Sequence, residues 1–198
     1  NMLLFAGPER FNAYADFLQS LGELLWLVRA IMIAAVLAHV VFTLLLTLEN
    51  MQARGQGYVV NATLGNTNFI RKTMIYSGAL VFFFLFIHLA DFTFGDKTGA
   101  PSIIAGLNGD KSLGLFGLVW RSFLFTEHWW RPVFYVLAVI CVGAHLTHGI
   151  QSMFQTIGFN HDRYTPWIQR GSVVLGVLVG AAFSLIPLYV NIVGTPSL

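Results

Sequence analysis

The sequence predicts an all-α integral membrane protein: a helical bundle with four transmembrane helices and a short interfacial helix ahead of them. Three observations predict it. Of 198 residues, 56% are hydrophobic and only 10% are charged, where a soluble domain carries about 25% charged residues. The mean hydropathy is +0.69. Finally, four apolar runs each reach the roughly 20 residues that a helix needs to cross a bilayer. The whole chain, 1–198, is read as a single transmembrane domain.

The first element is the segment Pro8–Glu23, where Phe11, Tyr14, Phe17, Leu18 and Leu21 recur at helical spacing opposite a polar face. That pattern predicts a helix lying along the membrane interface. Run A follows over Leu24–Leu48 and run B over Thr73–Phe94. The segment Gly95–Arg131 is then a long loop containing Ser112–Phe125, which is too short, and too interrupted by Arg121, to span. Trp120, Trp129 and Trp130 place it in an interfacial aromatic belt. Run C covers Pro132–Ile157, with Pro132 suited to a first helical turn. Run D covers Gly171–Val193, and Pro187 within it predicts a kink.

Charge sets the orientation. The A–B and C–D loops carry Arg54, Arg71, Lys72, Arg163 and Arg170 against only Glu49 and Asp162, whereas the remaining segments balance six basic residues with seven acidic ones. The positive-inside tendency puts those two loops in the cytoplasm and the N-terminus outside. The chain begins at Asn1 rather than Met, with no basic segment and cleavage site ahead of run A, so it is expected to start partway through its natural sequence. A formal net charge of +2, with no basic aromatic patch, speaks against nucleic acid. Cys141, the single cysteine, excludes an internal disulfide and cannot ligate an iron–sulfur cluster.

The candidate functional residues are histidines inside apolar runs. Ionisable groups at membrane depth are costly and usually functional, and imidazole is among the few side chains that ligate haem iron. Runs A and C point the same way, with His39 about 15 residues into A and His145 about 13 into C, so at about 1.5 Å per residue they lie at nearly one depth. His88 lies near the end of the opposite-running B and belongs to the outer half. Two single histidines on separate helices at one depth are what a b-type haem needs on its two faces. Gly143 and Gly149 flank His145, and Gly78 lies on B; small residues let a macrocycle approach a helix closely. Arg71 and Lys72 are placed to meet haem propionates, although basic residues there also serve as ordinary topology anchors. His148, three residues past His145, is expected to hydrogen-bond around the ligand rather than be one. His128 and His161 are read as interfacial and solvated, respectively. Asp91, one turn past His88, suits a proton relay or a hydrogen bond to a quinone headgroup, or else is a helix-end acid reaching interfacial water.

Three segments carry a family resemblance: Leu4–Leu18, from Leu-Phe-Ala-Gly-Pro-Glu-Arg-Phe onward; Arg71–Phe94, with Arg-Lys-Thr-Met-Ile-Tyr-Ser-Gly leading to Phe-Ile-His-Leu-Ala-Asp-Phe-Thr-Phe; and His145–Asn160, His-Leu-Thr-His-Gly-Ile-Gln-Ser-Met-Phe-Gln-Thr-Ile-Gly-Phe-Asn. Together the sequence resembles the single-chain dihaem cytochrome b membrane anchor of succinate:menaquinone oxidoreductases and quinol:fumarate reductases. The resemblance implies five transmembrane helices, the first of them ahead of Asn1, and two b haems. It assigns His39 and His145 to the proximal, cytoplasmic-side haem and His88 to the distal one, whose second ligand lies on that first helix. It further implies a flavoprotein subunit and an iron–sulfur subunit as partners, menaquinone or another quinone as the electron acceptor or donor, and the bacterial cytoplasmic membrane as the location. The chain is then a non-catalytic subunit of succinate dehydrogenase or fumarate reductase. The alternatives are the cytochrome b subunit of a hydrogenase or formate dehydrogenase, and a haem-free anchor or small transporter; no internal repeat favours a transporter.

Overall fold

The four apolar runs fold as helices long and apolar enough to cross a membrane, over Glu23–Ala53, Met74–Thr93, Trp130–Thr156 and Thr165–Val193. In this computed structural model, which describes residues 2–54, 74–95 and 114–194, about 90% is helical and no strand occurs among the described residues. A 3-10 turn over Met2–Ala6 leads into α1 (Pro8–Ser20), α2 (Glu23–Arg54) and α3 (Met74–His88), which a π turn over Leu89–Thr93 extends. Then come α4 (Gly114–Phe123), α5 (Phe125–His128), α6 (Trp130–Thr156) and α7 (Thr165–Val193). The chain divides into two compact units, residues 13–66 and residues 1–12 with 67–198.

The unit 13–66 is carried by α2, whose 32 residues make a rod of about 48 Å. Large apolar side chains stand exposed along its length, from Trp26 and Ile31 to Phe42 and Leu48. A helix apolar on all sides suits an apolar surrounding rather than water. Of the five apolar residues that recur along the first helix, Phe11 is buried, while Tyr14 and Phe17 are exposed.

The other unit is built on the pairing of α6 with α7. Ser172, Gly176, Gly180 and Ser184 recur every fourth residue of α7, and all four are buried. Opposite them lie Gly143 and Thr147 of α6, also buried. A Cβ on Gly143 would overlap the carbonyl of Gly176, and one on Gly176 would overlap Thr147 Oγ1 and the carbonyl of Gly143. The two backbones therefore touch, the packing that small residues every fourth position permit in membranes. Gln151 Nε2 donates to Ser172 Oγ across the same seam at 2.9 Å. Gly143, expected to admit a macrocycle, is thus taken up by helix packing.

α6 ends at a glycine for a conformational reason. Gly158 has φ 88°, and Phe159 N–H reaches back to Phe154 O at 2.9 Å while the two rings meet at 6.1 Å. This is a left-handed C-terminal cap with its hydrophobic contact. α7 begins earlier than the predicted Gly171, because Pro166 fits a first helical turn. It runs through Pro187 to Val193.

The segment predicted as an interfacial loop differs most. α4 is buried on Phe116, Val119, Trp120 and Phe123, and Trp120 is only 2% exposed. Instead of sitting in an aromatic belt, Trp120 donates its Nε1–H to Gly194 O at 2.8 Å. Asn12 caps this helix, its Oδ1 accepting from Phe116 N–H at 3.0 Å. Trp129 and Trp130 are exposed. The core thus gathers at one end of the bundle, where Leu4, Phe11 and α4 meet Tyr135 of α6 and Ile186 and Val190 of α7.

Asn191 ties that end together. Its Nδ2 donates to Phe123 O and Pro187 O, both at 2.7 Å, and its Oδ1 accepts from Phe125 N–H at 2.8 Å. It thereby satisfies two backbone groups freed where α4 breaks into α5, and a carbonyl one turn back on α7 itself. Removing a partner from such groups costs about 1–3 kcal/mol each where they are buried. Asn191→Ala is expected to lower unfolding stability in detergent by about 2 kcal/mol, measured by denaturant titration followed through tryptophan fluorescence. An unchanged midpoint would mean that water replaces all three bonds.

Candidate functional site

His145 lies midway along α6, facing α3. Its Nδ1 is 3.0 Å from Ser77 Oγ, and that hydroxyl donates to Met74 O at 3.0 Å. Where the hydroxyl spends its one proton on the carbonyl, it accepts from the ring and Nδ1 carries the hydrogen. Nε2 is then the unprotonated nitrogen, the tautomer in which histidine ligates a metal. Gly78 makes room for this arrangement, since a Cβ there would stand 3.2 Å from His145 Cε1. Cys141 Sγ, one turn before His145, reaches Ser77 O at 3.8 Å, so the α3–α6 contact continues along the turn that precedes the ring.

His88, the last residue of α3, is held by aromatic rings. Phe84 lies at 5.7 Å between centroids, Phe92 at 5.3 Å and Tyr135 at 6.2 Å. The imidazole still lines a cavity of about 380 Å³, whose other walls are apolar except for Tyr135. They include Leu4, Phe11, Val119, Phe123, Val142 and Phe183. A cavity of this size, apolar with one or two polar groups, suits a small organic ligand.

Asp91 lies in the π turn just past His88. Its Oδ2 accepts from Tyr135 OH at 2.8 Å, and its Oδ1 pairs with Arg131 Nη2 at 3.2 Å. Both carboxylate oxygens are therefore committed to α6, and its side chain is 10% exposed. Arg131 also lies over the Trp130 ring at 5.5 Å, and its Nε is buried with no hydrogen-bond partner.

The remaining predicted residues fall as follows. His39 is on an exposed face of α2, in the unit 13–66. His148 is half-buried on α6, one turn beyond His145. Arg71 and Lys72 lie outside the described residues. Gly149 has no heavy atom within 4 Å of where a Cβ would stand. His161 is exposed in the α6–α7 loop, where its Nδ1 accepts from Arg163 N–H at 3.1 Å, and His128 is half-buried on α5. Among the described residues no three His, Cys, Asp or Glu side chains cluster as a bare metal ion would need.

Ser77, Arg131 and Tyr135 were not singled out from sequence. Ser77 had a usable signal, since α3 runs opposite to α6 and a hydroxyl beside Gly78 falls where an antiparallel helix meets His145. Arg131 and Tyr135 stand four apart on one face of α6, which places a cation and a phenol together. No protein-family model, curated protein or solved structure matches the chain.

Proposed function

We propose that the chain is the membrane anchor and electron-transfer subunit of a succinate dehydrogenase or fumarate reductase. In this reading it passes electrons between the iron–sulfur clusters of a partner subunit and menaquinone or another quinone. A flavoprotein subunit performs the dicarboxylate chemistry, and the complex sits in the bacterial cytoplasmic membrane. The observation that carries the reading is the Met74–Ser77–His145 relay. Histidines that bind a metal through one nitrogen characteristically donate the other N–H to an oxygen, which holds the ring and raises its basicity.

Haem b fits the residues present. His39, His88 and His145 lie on three separate helices, which suits a macrocycle that takes its ligands from different helices. The buried Arg131 Nε is a donor lacking an acceptor at the His88 end, which suits a haem carboxylate. In this reading His145 would be a ligand of one haem and His88 of a second, and His39, Arg71 and Lys72 keep the roles that the resemblance implies. When bound, the group supplies one-electron transfer. The chain's own residues do the rest. Ser77 holds the His145 ring in one tautomer, Gly78 admits it against α3, and the apolar walls around His88 exclude water.

The test is a dithionite-reduced minus oxidised spectrum, with haem quantified as the pyridine haemochrome, on the purified membrane complex. The expected result is the split absorption of b-type haem at two per complex. A complex with no haem would sink the cytochrome reading.

A further inference from the structure

We infer that Arg131, Asp91 and Tyr135 form a latch between α6 and the π turn, and that this latch positions the His88 imidazole on the cavity wall. The inference deepens the reading of His88 as a haem ligand, and only one arm of its test depends on that reading. It starts from the backbone. The turn after His88 is widened by one residue, with Phe94 N–H reaching Leu89 O, five residues back, at 3.0 Å. Such turns are rare, recur at functional sites, and persist where surrounding contacts hold them. Asp91 stands in the middle of this one.

Asp91 fixes the turn at two points on α6. Arg131 takes one carboxylate oxygen at 3.2 Å and Tyr135 the other at 2.8 Å. The carboxylate side chain is 10% exposed and that of Arg131 25%, so the pair works largely out of water. A buried pair of this kind does little for stability compared with an apolar replacement of both members, and it serves to specify one arrangement. Tyr135 turns that arrangement into a position for His88. Its hydroxyl is held by Asp91, while its ring meets His88 at 6.2 Å, Phe84 at 5.2 Å and Phe92 at 5.7 Å. Phe84 and Phe92 are the other two rings around His88. One phenol therefore joins the carboxylate to every ring that holds the imidazole. Asp91, Arg131 and Tyr135 are positioning residues in this account.

The test separates positioning from mere stability. Asp91→Asn/Arg131→Gln removes both charges together and leaves no buried ion unpaired, and Tyr135→Phe removes only the hydroxyl. Both are purified as the full chain and compared with wild type by three readouts: the melting temperature, the rate at which diethyl pyrocarbonate modifies His88, and the midpoint potential of bound haem. The modification rate is read by peptide mass spectrometry, with exposed His161 as the internal reference. Both variants are expected to melt close to wild type while His88 reacts roughly tenfold faster, as local opening permits, and the potential shifts in Tyr135→Phe, which leaves Arg131 in place. Folded variants with wild-type His88 reactivity and wild-type potential would overturn the latch. If the double variant does not fold, Tyr135→Phe decides alone. A wild type without haem would remove the potential readout and sink the cytochrome reading, and the His88 rates would still decide the latch.

Discussion

Gly176→Leu is expected to unfold the α6–α7 pair, because there is no space between the two backbones for a side chain. A Cβ at that position would overlap Thr147 Oγ1 and the carbonyl of Gly143. Overpacking is cheap where a flexible side chain can move aside, and here part of what must move is another helix. Separating the helices would also break the Gln151–Ser172 bond and open Gly180 and Ser184, which share the seam. In lipid, no hydrophobic force restores the contact, since the bilayer is as apolar as the helix faces. A loss of about 3 kcal/mol or more follows, at the upper end of overpacking costs. The control is Gly171→Ala on the same helix, where nothing lies within 4 Å of the new Cβ. Alanine is the better helix former by about 1 kcal/mol, so this variant should be neutral or slightly stabilised. Thermal unfolding in detergent would check both. A Gly176→Leu protein that melts with wild type would mean that α6 and α7 do not pack backbone to backbone.

The four long helices were legible because each is a predominantly apolar run of sufficient length, and lipid demands that such a run satisfy its backbone internally as a helix. Hydropathy reports contact with an apolar surrounding, without distinguishing lipid from protein. That is why α4 was misplaced. Trp120 and Phe116 look the same in sequence whether they face headgroups or stack on each other in a core, at 5.2 Å between centroids. Glycine is ambiguous in the same way. Gly78 and Gly143 both signal a close approach, yet one admits the His145 ring and the other a neighbouring backbone. The histidines were legible as costly residues in apolar runs, whereas the groups that orient them were not. Ser77, Tyr135 and Arg131 are unremarkable in composition, and their roles come from the antiparallel register of α3 on α6.

His145→Ala and Ser77→Ala are expected to reduce haem binding by different amounts, and the difference is informative. Removing the imidazole removes a ligand outright, so the haem it holds should be lost and the pyridine haemochrome should fall from two per complex to one. Removing the Ser77 hydroxyl leaves the ligand in place but takes away the hydrogen-bond partner of its Nδ1, 3.0 Å distant. The ring is then free to rotate and to exchange tautomers, so the fraction presenting an unprotonated Nε2 falls. Loss of an oxygen that orients a metal-bound histidine typically weakens binding by about 10–100-fold. Haem titration into membranes depleted of it should show that intermediate loss. Ser77→Thr keeps the hydroxyl and should restore most of the affinity, and a purely steric role for residue 77 would not produce that rescue. If Ser77→Ala binds haem as tightly as wild type while His145→Ala loses it, His145 remains a ligand and the relay is ordinary packing. If neither change alters haem content, the contact between α3 and α6 holds the two helices together and the iron is ligated elsewhere.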